Sequence, residues 1–200
     1  MEHFITLPFE KAVFSDIRKM DILYLTGTVY TARDAAHKRM YDTIVGVMTD
    51  LAAAGEEKNN IISDPAGAFE HANESVREAV YKALPFNIRD SVIYYLGPAP
   101  AKPGQVIGSA GPTTSTRMDK YTPLLLELGL KGMIGKGRRS DEVVNSIKKN
   151  NAVYMGATGG AGALLSKCIK SSEIIAYDDL GTEAIRKLYV ESFPVTVLSI

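Results

Sequence analysis

Arg33, Arg117 and Lys136 fall where strand or helix patterns end, and Thr113, Thr114 and Ser115 lie close before the second of them. Two or three fixed cations suit a dicarboxylic acid, because each carboxylate then takes its own charge-assisted partner. An arginine grips a carboxylate or phosphate with two parallel donors, whereas a lysine acts as a point charge. Hydroxyl groups alone are poor bases: their pKa lies far above neutrality, and they take a proton only beside a charge or another base. No well-placed internal base accompanies the threonines, which points to an active site shared with another chain.

The densest stretch is GSAGPTTSTRMDKYTPLLLELGLKGMIGK, from Gly108 to Lys136. Gly108, Gly111 and Pro112 mark a turn. The hydroxyls and Arg117 follow, and TPLLLELGL is then apolar at helical spacing and ends at Gly129, so they sit where a loop enters a helix. Free backbone N–H groups at such an entrance favour an anion. An N-cap followed by a solvated arginine is the plainer account of the same pattern. KGMIGKG reads as a short strand that delivers Lys136 between two glycines. A nucleotide-binding P-loop is excluded, since Leu130 and Gly137 stand where it needs Gly and Ser or Thr.

The elements that must position these residues can be read in order. His3 to Leu7 and Ala12 to Ile17 read as short strands, and DILYLTGTVYTA as a better one, rich in β-branched and aromatic residues. Arg33 and Asp34 end it. A helix follows with Ala36, Met40, Ile44, Val47 and Leu51 on one face. For Arg33 and Asp34 a surface ion pair is the bland alternative to function; His37 suits a helix-start capping role as well as that of a proton carrier. DPAGAFEHANESVREAVYKALP predicts one helix with Asp64 as N-cap, Pro65 at its first position, and an apolar face of Phe69, Ala72, Val76, Ala79, Val80 and Ala83; His71 on it is a surface residue. SVIYYLG is a strand and GPAPAKPG a loop. Asp141 to Asn150 is a polar helix, and AVYMGATGG a buried strand that breaks into a glycine turn. Gly156, Gly159, Gly160 and Gly162 miss the dinucleotide spacing, which would require glycine at Leu165. SEIIAY, AIRKLYVE and PVTVLSI read as strands, the last two joined by ESFP.

The motifs GPTTSTRMD and IGKG resemble the signature of the iron–sulfur hydro-lyases, specifically the C-terminal domain of class I fumarases and the β subunit of two-component fumarases and L-tartrate dehydratases. GATGGAGALL from Gly156, DLGTEAI from Asp179 and ESFPVTV from Glu191 agree in order, and ARDAAH belongs to the same pattern. The likeness runs from about Leu25 to the C-terminus, broken at about 46–90, where a helical insertion is expected as a packing element or a partner's contact surface. The resemblance implies one α/β domain over 1–200, a swivelling β/β/α fold with a mixed sheet. It implies that Thr113 is catalytic, moving the proton at the carbon next to the substrate hydroxyl, and that Arg33, Thr114, Arg117 and Lys136 bind substrate. It implies reversible hydration of fumarate to L-malate, with L-tartrate dehydration as the alternative, and a 4Fe-4S cluster held by a partner α subunit. A hetero-oligomer with that subunit, or a homodimer of β chains, is the expected assembly. From another class, the same anion pocket would suit a non-catalytic module for a small anion.

Composition sets outer bounds. The 200 residues are 46% apolar, enough for one core. Lys plus Arg and Asp plus Glu are 23 each, which removes the broad positive field of a nucleic-acid binder. No apolar run reaches the length of a membrane span, and the N-terminal residues lack the basic and apolar parts of a signal peptide, so the expected location is cytoplasmic. Cys168 is the single cysteine. It excludes an internal disulfide and the cysteine set an iron–sulfur cluster takes from protein, and it reads as a small buried apolar residue.

Overall fold

Alternating β-branched residues and short apolar runs separated by helical stripes predict strands covered by helices, and the computed structural model shows this arrangement over residues 1–10, 13–53, 55–157 and 160–200. In chain order the elements are β1 (Glu2–Thr6), α1 (Val13–Asp16), β2 (Ile22–Thr31), α2 (Asp34–Leu51), α3 (Glu56–Ser63), α4 (Pro65–Glu70), α5 (Glu74–Ala83), β3 (Val92–Tyr94), α6 (Thr122–Glu127), β4 (Gly132–Gly135), α7 (Asp141–Lys149), β5 (Val153–Gly156), α8 (Gly162–Leu165), β6 (Ile169–Ala176) and β7 (Ile185–Ser199). Short 3-10 turns cover Ser115–Met118, Ser166–Cys168 and Asp178–Glu183.

Strands β2, β3, β4 and β5 run parallel, and the long β7 pairs antiparallel with both β5 and β2, which closes the sheet into a barrel-like arrangement. β1 adds to β2 in parallel and β6 to β7 in antiparallel register. Strand alternation divides the apolar side chains between two cores. Val92, Tyr94, Ile134, Val153 and Met155 join Leu23, Leu25, Leu188 and Val195 in one. Ile93, Tyr95, Met133 and Tyr154 form the other with Met40, Ile44, Leu124, Leu125 and Ile147 from the helices. The carboxyl ends of the parallel strands, where ligands bind in sheets of this kind, therefore carry Ala32–Arg33, Tyr95 and Lys136 on one rim.

Several elements differ from the sequence reading. The stretch read as a strand at 12–17 forms the helical turn α1 over its described part, with Ile17 N donating to Val13 O; Ala12 lies outside the described residues, as do Thr158 and Gly159 of the glycine turn. A run this short fits either period. The buried stripe of α2 is Ala36, His37, Met40, Ile44 and Met48, whereas Val47 is half-buried and Leu51 exposed, because steps of four keep to the core-facing side. The helix expected from Asp64 to Pro85 is two: Asp64 caps α4 through Gly67 N at 3.0 Å, and Asn73 caps α5 anew through Val76 N at 3.0 Å. Phe69 and Val80 are buried as expected, but Ala83 is exposed, and α3 precedes them.

At the C-terminus ESFP is not a connection. β7 runs through it, and between the pairs Leu25/Phe193 and Gly27/Val190 it spends two residues against one on β2. That is a β-bulge, with Ser192 at φ 46° and its N–H bonded to Thr26 Oγ1 at 3.1 Å. Cys168 is half-buried against the barrel core, not fully buried.

Candidate functional site

The GPTT loop is woven into the rim by backbone bonds. Thr113 N donates to Tyr95 O at 2.8 Å, Lys136 N to Thr113 O at 3.3 Å, and Ser115 N to Lys136 O at 2.9 Å. Thr113 and Thr114 thus continue the sheet between the ends of β3 and β4, and Thr114 and Lys136 form an isolated parallel bridge. Gly135 is required here, because a Cβ would run into Ser115 Oγ. The side chains of Thr114 and Lys136 are exposed, Thr113 is half-buried, and Ser115 is buried. The expected helix entrance differs in one respect: Arg117 lies in a four-residue 3-10 turn, and α6 begins only at Thr122. An anion beside Arg117 would be held by side chains, not by the dipole of α6.

The second half of the rim comes from the start of α2, where Arg33 is the N-cap residue. Asp34 Oδ1 forms an ion pair with Arg117 Nε at 3.0 Å, and its Oδ2 lies 3.9 Å from Arg33 Nη2. Arg117 Nη1 in turn stands 3.5 Å from Thr113 Oγ1. Glu183 Oε1 completes the row at 3.4 Å from Arg33 Nη2. The fold thus brings Arg33, Arg117 and Thr113 into one chain of alternating charge, and sets Lys136 and Thr114 on the adjoining strand end. Arg33 Nε and Asp34 Oδ2 are buried without a hydrogen-bond partner among the described residues, an arrangement that suits a polar ligand.

Beneath the loop lies a network that the sequence reading missed. Arg139, with its side chain 1% exposed, donates to Asp119 Oδ1 at 2.6 Å, Tyr95 OH at 3.0 Å and Thr122 Oγ1 at 2.6 Å. Asp119 Oδ2 also accepts from Ser140 N at 2.8 Å. The Tyr154 hydroxyl, whose pKa burial pushes up, donates to Gly137 O at 2.8 Å and shares a hydrogen bond with Ser115 Oγ at 2.9 Å. RMD and GKGRR are therefore clamped to each other. The signal available was an acid closing one motif and a second arginine closing the other.

His37 is fully buried, and its Nδ1–H donates to Arg33 O at 2.9 Å. Burial lowers its pKa to about 4. It makes no side-chain cap to a helix N–H. With no exposure and a neutral ring, it braces the Arg33 carbonyl.

The donor set of the chain does not fit an iron–sulfur cluster: its one cysteine, Cys168, packs by the barrel core, and among the described residues no three His, Cys, Asp or Glu side chains converge for a metal. No described helix is long and apolar enough to cross a membrane.

The sequence model of the family described as Fumarase C-terminus matches residues 68–199. The chain belongs to this fumarase C-terminus family. The match takes in the GPTT loop, Lys136 and DLGTEAI, and begins after Arg33. Relatives extend it toward the N-terminus. A class I anaerobic fumarate hydratase of Escherichia coli K12 is 37% identical over 88% of this chain and 26% of its own length. The mitochondrial fumarate hydratase 1 of Leishmania major is 33% identical over the same shares. A candidate L(+)-tartrate dehydratase subunit beta of Methanocaldococcus jannaschii is 30% identical over 92% of this chain and 82% of its own. The chain thus spans about a quarter of the fumarate hydratases it matches and most of the tartrate dehydratase subunit.

Proposed function

We propose that this chain is the substrate-binding half, the β subunit, of an iron–sulfur-dependent hydro-lyase that hydrates fumarate to L-malate reversibly. The observation that carries it is the position of Arg117, ion-paired with Asp34 and within 3.5 Å of the Thr113 hydroxyl. A guanidinium there takes a substrate carboxylate through its terminal nitrogens and lowers the cost of negative charge on the neighbouring oxygen. In this reading Arg33, Lys136 and Thr114 hold the substrate, and Thr113 moves the proton at the carbon. The cluster belongs to a partner α subunit, the fold is the swivelling β/β/α domain, and residues 46–90 are a helical addition to it.

L-Tartrate is the second reading, favoured by the 82% coverage of the tartrate dehydratase subunit. Anaerobic co-expression with a cluster-bearing α subunit, followed by assays on both acids, distinguishes the two. Activity on neither would overturn the hydro-lyase reading, and robust activity of this chain alone would overturn the division into two subunits.

A further inference from the structure

The N-cap of α2 is occupied by Arg33, where Ser, Thr, Asp or Asn is the residue that caps. An arginine cannot accept a hydrogen bond from the first turn, and its side chain makes none. The missing acceptor arrives from 148 residues away: Glu183 Oε2 accepts from Ala35 N at 2.8 Å. The other oxygen of the same carboxylate lies 3.4 Å from Arg33 Nη2. One side chain therefore supplies the cap that position 33 lacks and meets the guanidinium that stands in its place.

The segment carrying Glu183 is itself tied down around Arg33. Buried Thr31 donates to Ala184 O at 3.3 Å and accepts from Arg186 N at 3.0 Å. Upstream, Arg39 holds Asp179 through two bonds of 2.7 Å. Gly97 closes the other side, since a Cβ there would come within 2.7 Å of Arg33 Nη1 and 3.2 Å of Thr182 O. Nη2 faces Glu183 and Asp34, and Nη1 has no hydrogen-bond partner among the described residues.

We propose that Glu183 is a positioning residue, which acts on the substrate through Arg33 by fixing the direction of its guanidinium. This rests on the substrate-binding role of Arg33 in the hydro-lyase reading. Glu183→Gln keeps an oxygen for Ala35 N but loses the charge that orients Arg33. In the reconstituted enzyme KM should rise about tenfold with kcat changed far less and the melting temperature nearly constant. In an Arg33→Ala background the same substitution should add nothing, because the residue it acts through is gone. In the chain alone, the Arg33 Nε–H NMR signal should shift and broaden in Glu183→Gln. An equal KM effect in both backgrounds, a change in melting alone, or an unmoved Arg33 signal would each overturn the proposal. Should Glu183→Gln fold poorly, Glu183→Asp, which keeps the charge on a shorter arm, is read by the same signal. If the wild-type complex acts on neither acid, the hydro-lyase reading falls, and the Arg33 signal still decides what Glu183 does.

Discussion

Asp34 Oδ1 and Arg117 Nε meet at 3.0 Å, joining the first turn of α2 to the loop that carries Thr113. This ion pair uses the one guanidinium nitrogen that lies off the terminal fork. Nη1 stands beside Thr113 Oγ1 at 3.5 Å. A pair this exposed adds little to stability, so its consequence lies in orientation.

Arg117→Lys removes both the Nε contact with Asp34 and the planar fork while keeping the charge. We expect kcat/KM of the reconstituted enzyme to fall by roughly one to two decades, the worth of one charge-assisted bond. The melting temperature should hardly move, since the side chain is half-exposed. Full activity would remove Arg117 from the substrate site.

Neither Thr113 nor Thr114 makes a side-chain cap among the described residues, so alanine at either should cost well under about 1 kcal/mol of stability. Thr113→Ala should nevertheless lower kcat much more than it raises KM, as loss of a transition-state interaction does. Thr113→Ser should recover much of the rate, and Thr114→Ala should affect KM more than kcat. Early melting with normal turnover in Thr113→Ala would end the proton-transfer role.

Arg139→Ala leaves Asp119 without its charged partner, with only Ser140 N still donating to it, and Tyr95 OH and Thr122 Oγ1 without the guanidinium donor. Breaking a buried pair of this kind costs about 3–5 kcal/mol. Urea denaturation should show that loss, and Arg139→Met with Asp119→Leu should cost less than the sum of the singles. Additive losses would show that the two side chains act separately.

Stability should fall on acidification through His37. Its folded pKa of about 4 lies below the ordinary value of 6.5, chiefly through burial, so the unfolded chain binds the proton first. The contribution is intact above about pH 6.5 and is lost progressively down to about pH 4, by up to about 3 kcal/mol. Denaturation midpoints across that window should drop less steeply in His37→Gln than in the wild type. Parallel slopes would exclude His37 as the cause.

Periodicity and turn chemistry alone place β1, β2, α2, α6, α7 and β5, and the GKG loop at a strand end, because these are local properties of a few neighbouring side chains; the GPTT loop reads as a helix entrance, and only the structure shows it bonded to the ends of β3 and β4. The same local logic fails where two accounts fit one stretch, as at α1 or at the bulge in β7, and where neighbours compete, as at the break between α4 and α5. What only the tertiary structure decides is which side chains meet across long separations: Asp34 with Arg117, Arg139 with Asp119, and Glu183 with both Ala35 and Arg33. Parallel strands with helical crossovers bring their carboxyl ends to one rim from every part of the chain, so the partners at that rim share no spacing that a sequence period could reveal.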